Sequence, residues 1–121
     1  MIKFEVDEPK RLLVIRYRGV VRAEETDKGL EQIRNGLAKM QSGFRLLADL
    51  TELQSMDVGC APFIEKAMDM CNEKGASMVV RVIPDPQRDI GLQIMSIFHY
   101  RGDVRILTCE TLTQAAELLG T

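Results

Sequence analysis

The chain contains no apolar run approaching the roughly 20 residues that a membrane-spanning helix needs, and Met1 to Lys10 is charged rather than leader-like. A cytoplasmic protein is the resulting expectation. Cysteine is scarce: Cys60, Cys71 and Cys109 are odd in number, widely spaced and without a Cys-x-x-Cys pair. This argues against a disulfide framework and a zinc site, and leaves reduced thiols as the default. Histidine occurs once, at His99, so Cys60 with His99 is the one nucleophile and base combination available. Charge of one sign is also lacking. Sixteen basic residues against eighteen acidic ones leave a net charge of -2, which gives no general attraction for nucleic acid or anionic lipid. Arg16, Arg18 and Arg22 would be the local exception, and on a strand they read better as a solvated face. Gly19, Gly43, Gly75 and Gly91 are isolated, so no glycine-rich phosphate loop follows a strand.

What is present is an ordinary globular composition, 45% hydrophobic and 28% charged over 121 residues. That suits one domain spanning 1–121, which on folding buries roughly 65% of the surface of the unfolded chain. Ile2, Phe4 and Val6 alternate with polar neighbours as in a half-buried strand, and Asp7-Glu8-Pro9-Lys10 supplies a turn. Leu12 to Tyr17 is apolar enough for a strand buried on both faces, with Gly19 marking a bend or bulge before Val20 and Val21. A hairpin joins the two most simply.

Helical spacing follows over Ala23 to Met40, where Leu30, Ile33, Leu37 and Met40 form one stripe, and Gln41-Ser42-Gly43 stops it. Phe44 to Leu50 reads as a strand and Leu53 to Val58 as loop. A second helix carries Cys60, Phe63, Ile64, Ala67, Met68 and Cys71 inward; Pro62 sets its N-cap near Gly59 to Ala61, and Gly75 ends it. Ser77 to Ile83 is strand-like. Asp85 and Pro86 open a third helix with Ile90, Ile94, Ile97 and Phe98, closed by Gly102. Val104 to Leu107 is a last strand, and Thr111 with Gln114 makes a capping box for a terminal helix containing Leu112, Ala115, Ala116 and Leu119. The order ββαβαβαβα predicts an α/β fold: a mixed sheet of about five strands with four helices, its later strands parallel.

That order, together with Asp49-Leu50-Thr51-Glu52-Leu53-Gln54-Ser55-Met56-Asp57 leading into a helix, resembles the STAS (SpoIIAA-like) domains, the anti-sigma factor antagonists of the sporulation type. Those domains show a strand ending in an apolar-Asp-apolar-Ser or Thr segment, a short loop, an apolar-Asp pair and then a helix. Asp49, Leu50, Thr51, Met56 and Asp57 follow this pattern, and the likeness extends by element order from Leu12 to the C-terminus. In regulatory members the second Asp is followed by Ser, a phosphorylated Ser or Thr, and Gly. Here Val58, Gly59 and Cys60 stand there, so the resemblance implies a domain without the phosphorylation switch. Thr51 and Ser55 lie nearby, and nothing in the pattern selects them as acceptors.

The segment Leu53 to Cys60, between a strand end and a helix start, is where such folds place contacts. Asp49 and Asp57 could instead satisfy N–H groups of the turns, the favoured reading of the two. Cys60 could carry a depressed thiol pKa beside a helix start, although its place on the apolar stripe favours a buried core residue. Asp49, Asp57, Asp85 and Asp89 as a hard-metal site lose to their reading as caps and first-turn acids. Met56, Met68, Met70, Met78 and Met95 supply adaptable surface or core filling, and Met70 alone leaves the stripe. The reading that results is a non-enzymatic, STAS-like protein-binding domain without cofactor, with contacts from Thr51, Ser55, Met56, Asp57, Val58, Gly59, Cys60 and Met70. A small apolar-ligand or lipid carrier, with a pocket between sheet and third helix, is the alternative, and a homodimer stays open.

Overall fold

The computed structural model describes residues 1–83 and 104–120, and the expected third helix, with Asp85, Asp89, Met95 and His99, lies outside the described residues. Ile2–Asp7 (β1) and Leu12–Val21 (β2) pair antiparallel, Phe4 opposite Ile15 and Val6 opposite Leu13. Arg45–Met56 (β3), Met78–Val82 (β4) and Arg105–Cys109 (β5) then add in parallel, giving the spatial order β1-β2-β3-β4-β5. The hairpin followed by parallel strands is the mixed sheet that the alternation of patterns predicts.

Three α-helices stand among the described residues: Thr26–Ala38 (α1), Ala61–Lys74 (α2) and Leu112–Leu119 (α3). Single 3-10 turns, Ala23–Glu25 and Val58–Cys60, lead into α1 and α2. One face of the sheet (Leu13, Ile15, Tyr17, Leu46, Ala48, Leu50) packs against Ile33 and Leu37 of α1 and Phe63, Ile64, Ala67 and Cys71 of α2. The other (Leu12, Val14, Leu47, Val80, Val82) meets Ala115 and Leu119 of α3. Residues alternate between two buried faces in β2 and β3, so these strands read as unbroken apolar runs.

The helix signals behave as their chemistry requires. The Thr111 hydroxyl accepts from the Gln114 N–H at 3.1 Å while the Gln114 side chain accepts from the Thr111 N–H at 3.3 Å, the reciprocal capping box. Gly75 ends α2 at φ 98°, in the left-handed region, and a β-carbon there would stand 3.3 Å from the Ser42 Cα. Its carbonyl also receives the Gly43 N–H at 2.7 Å. Gly75→Ala therefore combines an unfavourable φ with a close approach, and is expected to lower stability by about 1–2 kcal/mol. Urea unfolding at constant m-value checks this; an unchanged midpoint would show that the turn relaxes freely.

One boundary departs from expectation. Residues 53–56, read as loop, belong to β3, which continues to Met56 because β2 continues past Gly19 to Val21 and supplies a partner: Gly19 opposite Leu53, Val20 opposite Ser55 and Val21 opposite Met56. The register slips twice. From Arg16↔Asp49 to Arg18↔Glu52, β2 advances two residues and β3 three; from Gly19↔Leu53 to Val20↔Ser55, β2 advances one and β3 two. Each slip is a bulge with the extra residue on β3. Leu50, Leu53 and Met56 consequently all face the α1/α2 core, although they are three residues apart and not two.

Candidate functional site

The first bulge is pinned by Asp49. Its side chain is 5% exposed, and Oδ1 accepts the Thr51 N–H at 2.9 Å and the Thr51 hydroxyl at 2.7 Å. Thr51 sits in the slip, where the ladder leaves its N–H without a regular strand partner, and the carboxylate two residues earlier replaces that partner. Oδ2 accepts from Arg16 Nε at 3.2 Å, and Arg16 Nη1 donates to Glu5, so one guanidinium ties β1, β2 and β3 together on the α3 side of the sheet. The hydrogen bond to Glu5, with burial opposing and Asp49 adding, raises the Arg16 pKa above the ordinary arginine value. Arg18 pairs with Glu52 at 2.7 Å. Arg16 and Arg18 are thus paired with carboxylates and form no uncompensated basic patch.

The second bulge delivers the chain to Asp57. Its backbone N–H donates to the Val21 carbonyl at 3.0 Å and its own carbonyl accepts the Cys60 N–H at 2.9 Å, closing the 3-10 turn. The Asp57 carboxylate makes no cap on its own helix; Oδ2 reaches across to accept the Ala23 N–H at 3.3 Å. It thereby satisfies the opening donor of the neighbouring turn. A β-carbon on Gly59 would lie 3.2 Å from that of Ala23, so the two turns pack against each other. Asp49 and Asp57 both serve backbone donors, as the plainer reading of their types has it.

Met56 and Cys60 point inward. Cys60 is 1% exposed, its thiol 3.8 Å from the Val21 carbonyl, and Met56 lies in the same core. Both residues expected as contacts are buried in the structure: the bulge phase turns Met56 toward α1 and α2, and the apolar stripe of α2 encloses Cys60. Burial, with the nearby Asp57 and Glu25 carboxylates adding to it, pushes the Cys60 thiol above the usual range, against a reactive thiolate. A Cys60/His99 pair involves a residue outside the described ones. Thr51 and Ser55 are partly buried on β3, while Asp57, Val58 and Gly59 are exposed. Val58 is 73% exposed, and Val20, at 44%, is a second large apolar side chain left open at this end of β2. Val20 drew no attention as a contact, since a valine in a strand is ordinary; the regular alternation of β2 turns it to the face opposite Tyr17 and Val21, where it stays exposed. Met70 is half-buried on α2, about three turns away, beside Leu37 and Ala38 of α1.

A small apolar cavity between sheet and α2, lined by Ile15, Tyr17, Leu46, Ile64, Met68 and Cys71 among others, amounts to about 40 Å³. A cavity that holds benzene is on the order of 150 Å³, well above this space; the pocket expected between sheet and third helix lies outside the described residues. Among the described residues no helix is long and apolar enough to cross a membrane.

No protein-family model matches the sequence, and a search of curated proteins finds no relative. Solved structures do match. The chain is similar to the anti-sigma factor antagonist SpoIIAA in its unphosphorylated form, at 12% identity, TM-score 0.68, with 99% of this chain and 98% of that one covered. It is similar to a DUF3478-family protein with a SpoIIAA-like fold from Shewanella loihica, at 17% identity, TM-score 0.69 and 98% and 92% coverage. An anti-sigma factor antagonist from Mycobacterium paratuberculosis aligns at 15% identity, TM-score 0.62 and 100% and 96% coverage. With TM-scores of 0.62 to 0.69 and near-complete coverage on both sides, the chain has the SpoIIAA-like, STAS-type fold.

Proposed function

We propose that this chain is a non-enzymatic, regulatory protein-interaction domain whose contact surface centres on Asp57, Val58 and Gly59, with Val20 beside them and the outer side of α2 continuing it. The observation that carries the reading is Val58, an apolar side chain held 73% exposed on a turn whose flanks are fixed. Asp57 bonds to Ala23 on one side, and Cys60 is sunk in the core on the other. An apolar group presented on a rigid mount loses little freedom on binding, which is the property of an interface anchor. That two similar structures are called anti-sigma factor antagonists supports a protein as the bound species. Gly59 has no hydroxyl, so a phosphoryl group cannot be placed at the position the STAS pattern uses. Control of binding would then rest on partner concentration.

A photo-crosslinking residue at position 58, compared with one at exposed Thr113 on α3, tests this in cells. A defined adduct is expected from position 58 alone. Val58→Glu should then weaken binding of the purified partner at least about tenfold, or 1.4 kcal/mol, with the thermal midpoint unchanged. Equal adducts at both positions, or unimpaired binding by Val58→Glu, would refute the reading. Asp57→Arg is a poorer probe, because it also removes the bond to Ala23.

A further inference from the structure

We propose that the groove between α1 and α2 seats an acidic amphipathic helix of a protein partner. The inference rests on the reading of the chain as a protein-binding domain and adds the chemistry of what binds. The groove floor is Leu37 and Ala38 of α1 and Met70 of α2; its rim is Arg34, Lys66 and Lys74, with Glu73 the single acid. Arg34, Lys66, Glu73 and Lys74 are exposed and Met70 is half-buried.

Charge distinguishes this groove from the rest of the surface. The chain carries a net charge of -2, yet three cations meet here against one carboxylate. Arg16 and Arg18 on the sheet have carboxylate partners, whereas Arg34, Lys66 and Lys74 make no ion pair among the described residues.

The shape fits a helix. Two neighbouring helices leave a furrow that an amphipathic helix fills with residues at i, i+3, i+4 and i+7. An unbranched methionine at the floor adapts to different side chains. Flanking Asp or Glu on the incoming helix would face the three cations, steering encounter and fixing orientation more than adding raw affinity. Nucleic acid fits less well: among the described residues the groove offers no aromatic side chain for a base to stack on, and Glu73 would oppose a phosphate backbone.

The test uses the full chain and a fluorescein-labelled 14-residue peptide with leucine at i, i+3, i+4 and i+7 and glutamate elsewhere. The same peptide with lysine in place of glutamate serves as comparison. At 50 mM salt the acidic peptide should bind at least about tenfold more tightly than the basic one, and about 0.5 M salt should erase most of that difference. The Met70 methyl resonance should shift. Lys66→Glu with Lys74→Glu should reverse the preference, with Arg34→Glu as a second variant should the pair fail to fold. Equal binding of both peptides, or an unmoved Met70 methyl, overturns the proposal. So does a Met70 shift produced only by vesicles of phosphatidylcholine and phosphatidylglycerol at 3:1, which would assign the groove to a lipid surface. Val58→Glu, run in parallel, should leave peptide binding within twofold. Peptide failure beside a position-58 adduct sinks the groove and leaves the tip standing; peptide binding without an adduct does the reverse.

Discussion

Asp49→Ala is expected to lower the free energy of unfolding by about 2–3 kcal/mol, a large share of the stability of a domain this size. The side chain is 5% exposed and takes three hydrogen bonds, two from Thr51 and one from Arg16. Removal leaves the Thr51 N–H inside a bulge without an acceptor, and an unmade bond to a buried donor costs more than a made one contributes. Arg16 keeps Glu5, which holds the loss below the full penalty for a stranded buried charge. Glu5→Ala is the informative control. Its side chain is 58% exposed, so its pair with Arg16 should be worth no more than about 0.5–1 kcal/mol. Asp49→Asn keeps an acceptor for Thr51 and should fall between the two. Urea unfolding of the three variants decides the matter. A loss at Asp49 no larger than that at Glu5 would mean that the bulge holds its shape without the carboxylate.

The three thiols should react with a disulfide reagent at neutral pH about 10³-fold more slowly, or less, than in the unfolded chain. Cys60, Cys71 and Cys109 are buried and form no disulfide among the described residues. The Cys60 and Cys109 thiols lie above the ordinary range, in both cases chiefly through burial, so little thiolate exists at pH 7 even when the reagent arrives. Access then requires opening. Cys60 and Cys71 sit in one core with Phe44 and Leu50, and their exposure should demand nearly global unfolding. Time courses in native buffer and in urea measure the ratio. One equivalent of fast-reacting thiol in the native protein would contradict it, and mapping that thiol to Cys60 would restore the reactive reading of the helix start.

Much of this architecture was open to inspection in the residues. Ile2, Phe4 and Val6 announce β1 because every second side chain must face α1. Gly75 announces the end of α2 because the turn needs positive φ, and Thr111 with Gln114 announce α3 because two donors need acceptors. The end of β3 did not announce itself. Thr51 to Met56 places apolar residues three apart, which matches no strand period, and two bulges restore the match in space. A bulge depends on a neighbour, here β2, so a reading of one segment at a time cannot find it. The Asp-x-Thr spacing was the available signal. It was noticed as a family likeness, while its physical content, a carboxylate substituting for a missing strand partner, lay in the fold. The turn before α2 was legible in place, but the slips in β3 that bury Met56 were not.

The pairing of β3 with β4 ends at Asp49 opposite Val82, whereas its pairing with β2 runs on to Met56. Among the described residues, the last seven positions of β3 are therefore stitched along one margin only. A tug on Val58 would travel into β2 and, by way of Asp57, into the backbone at Ala23, bypassing β4. Asp49 is the last position of β3 with a strand partner on each side among the described residues.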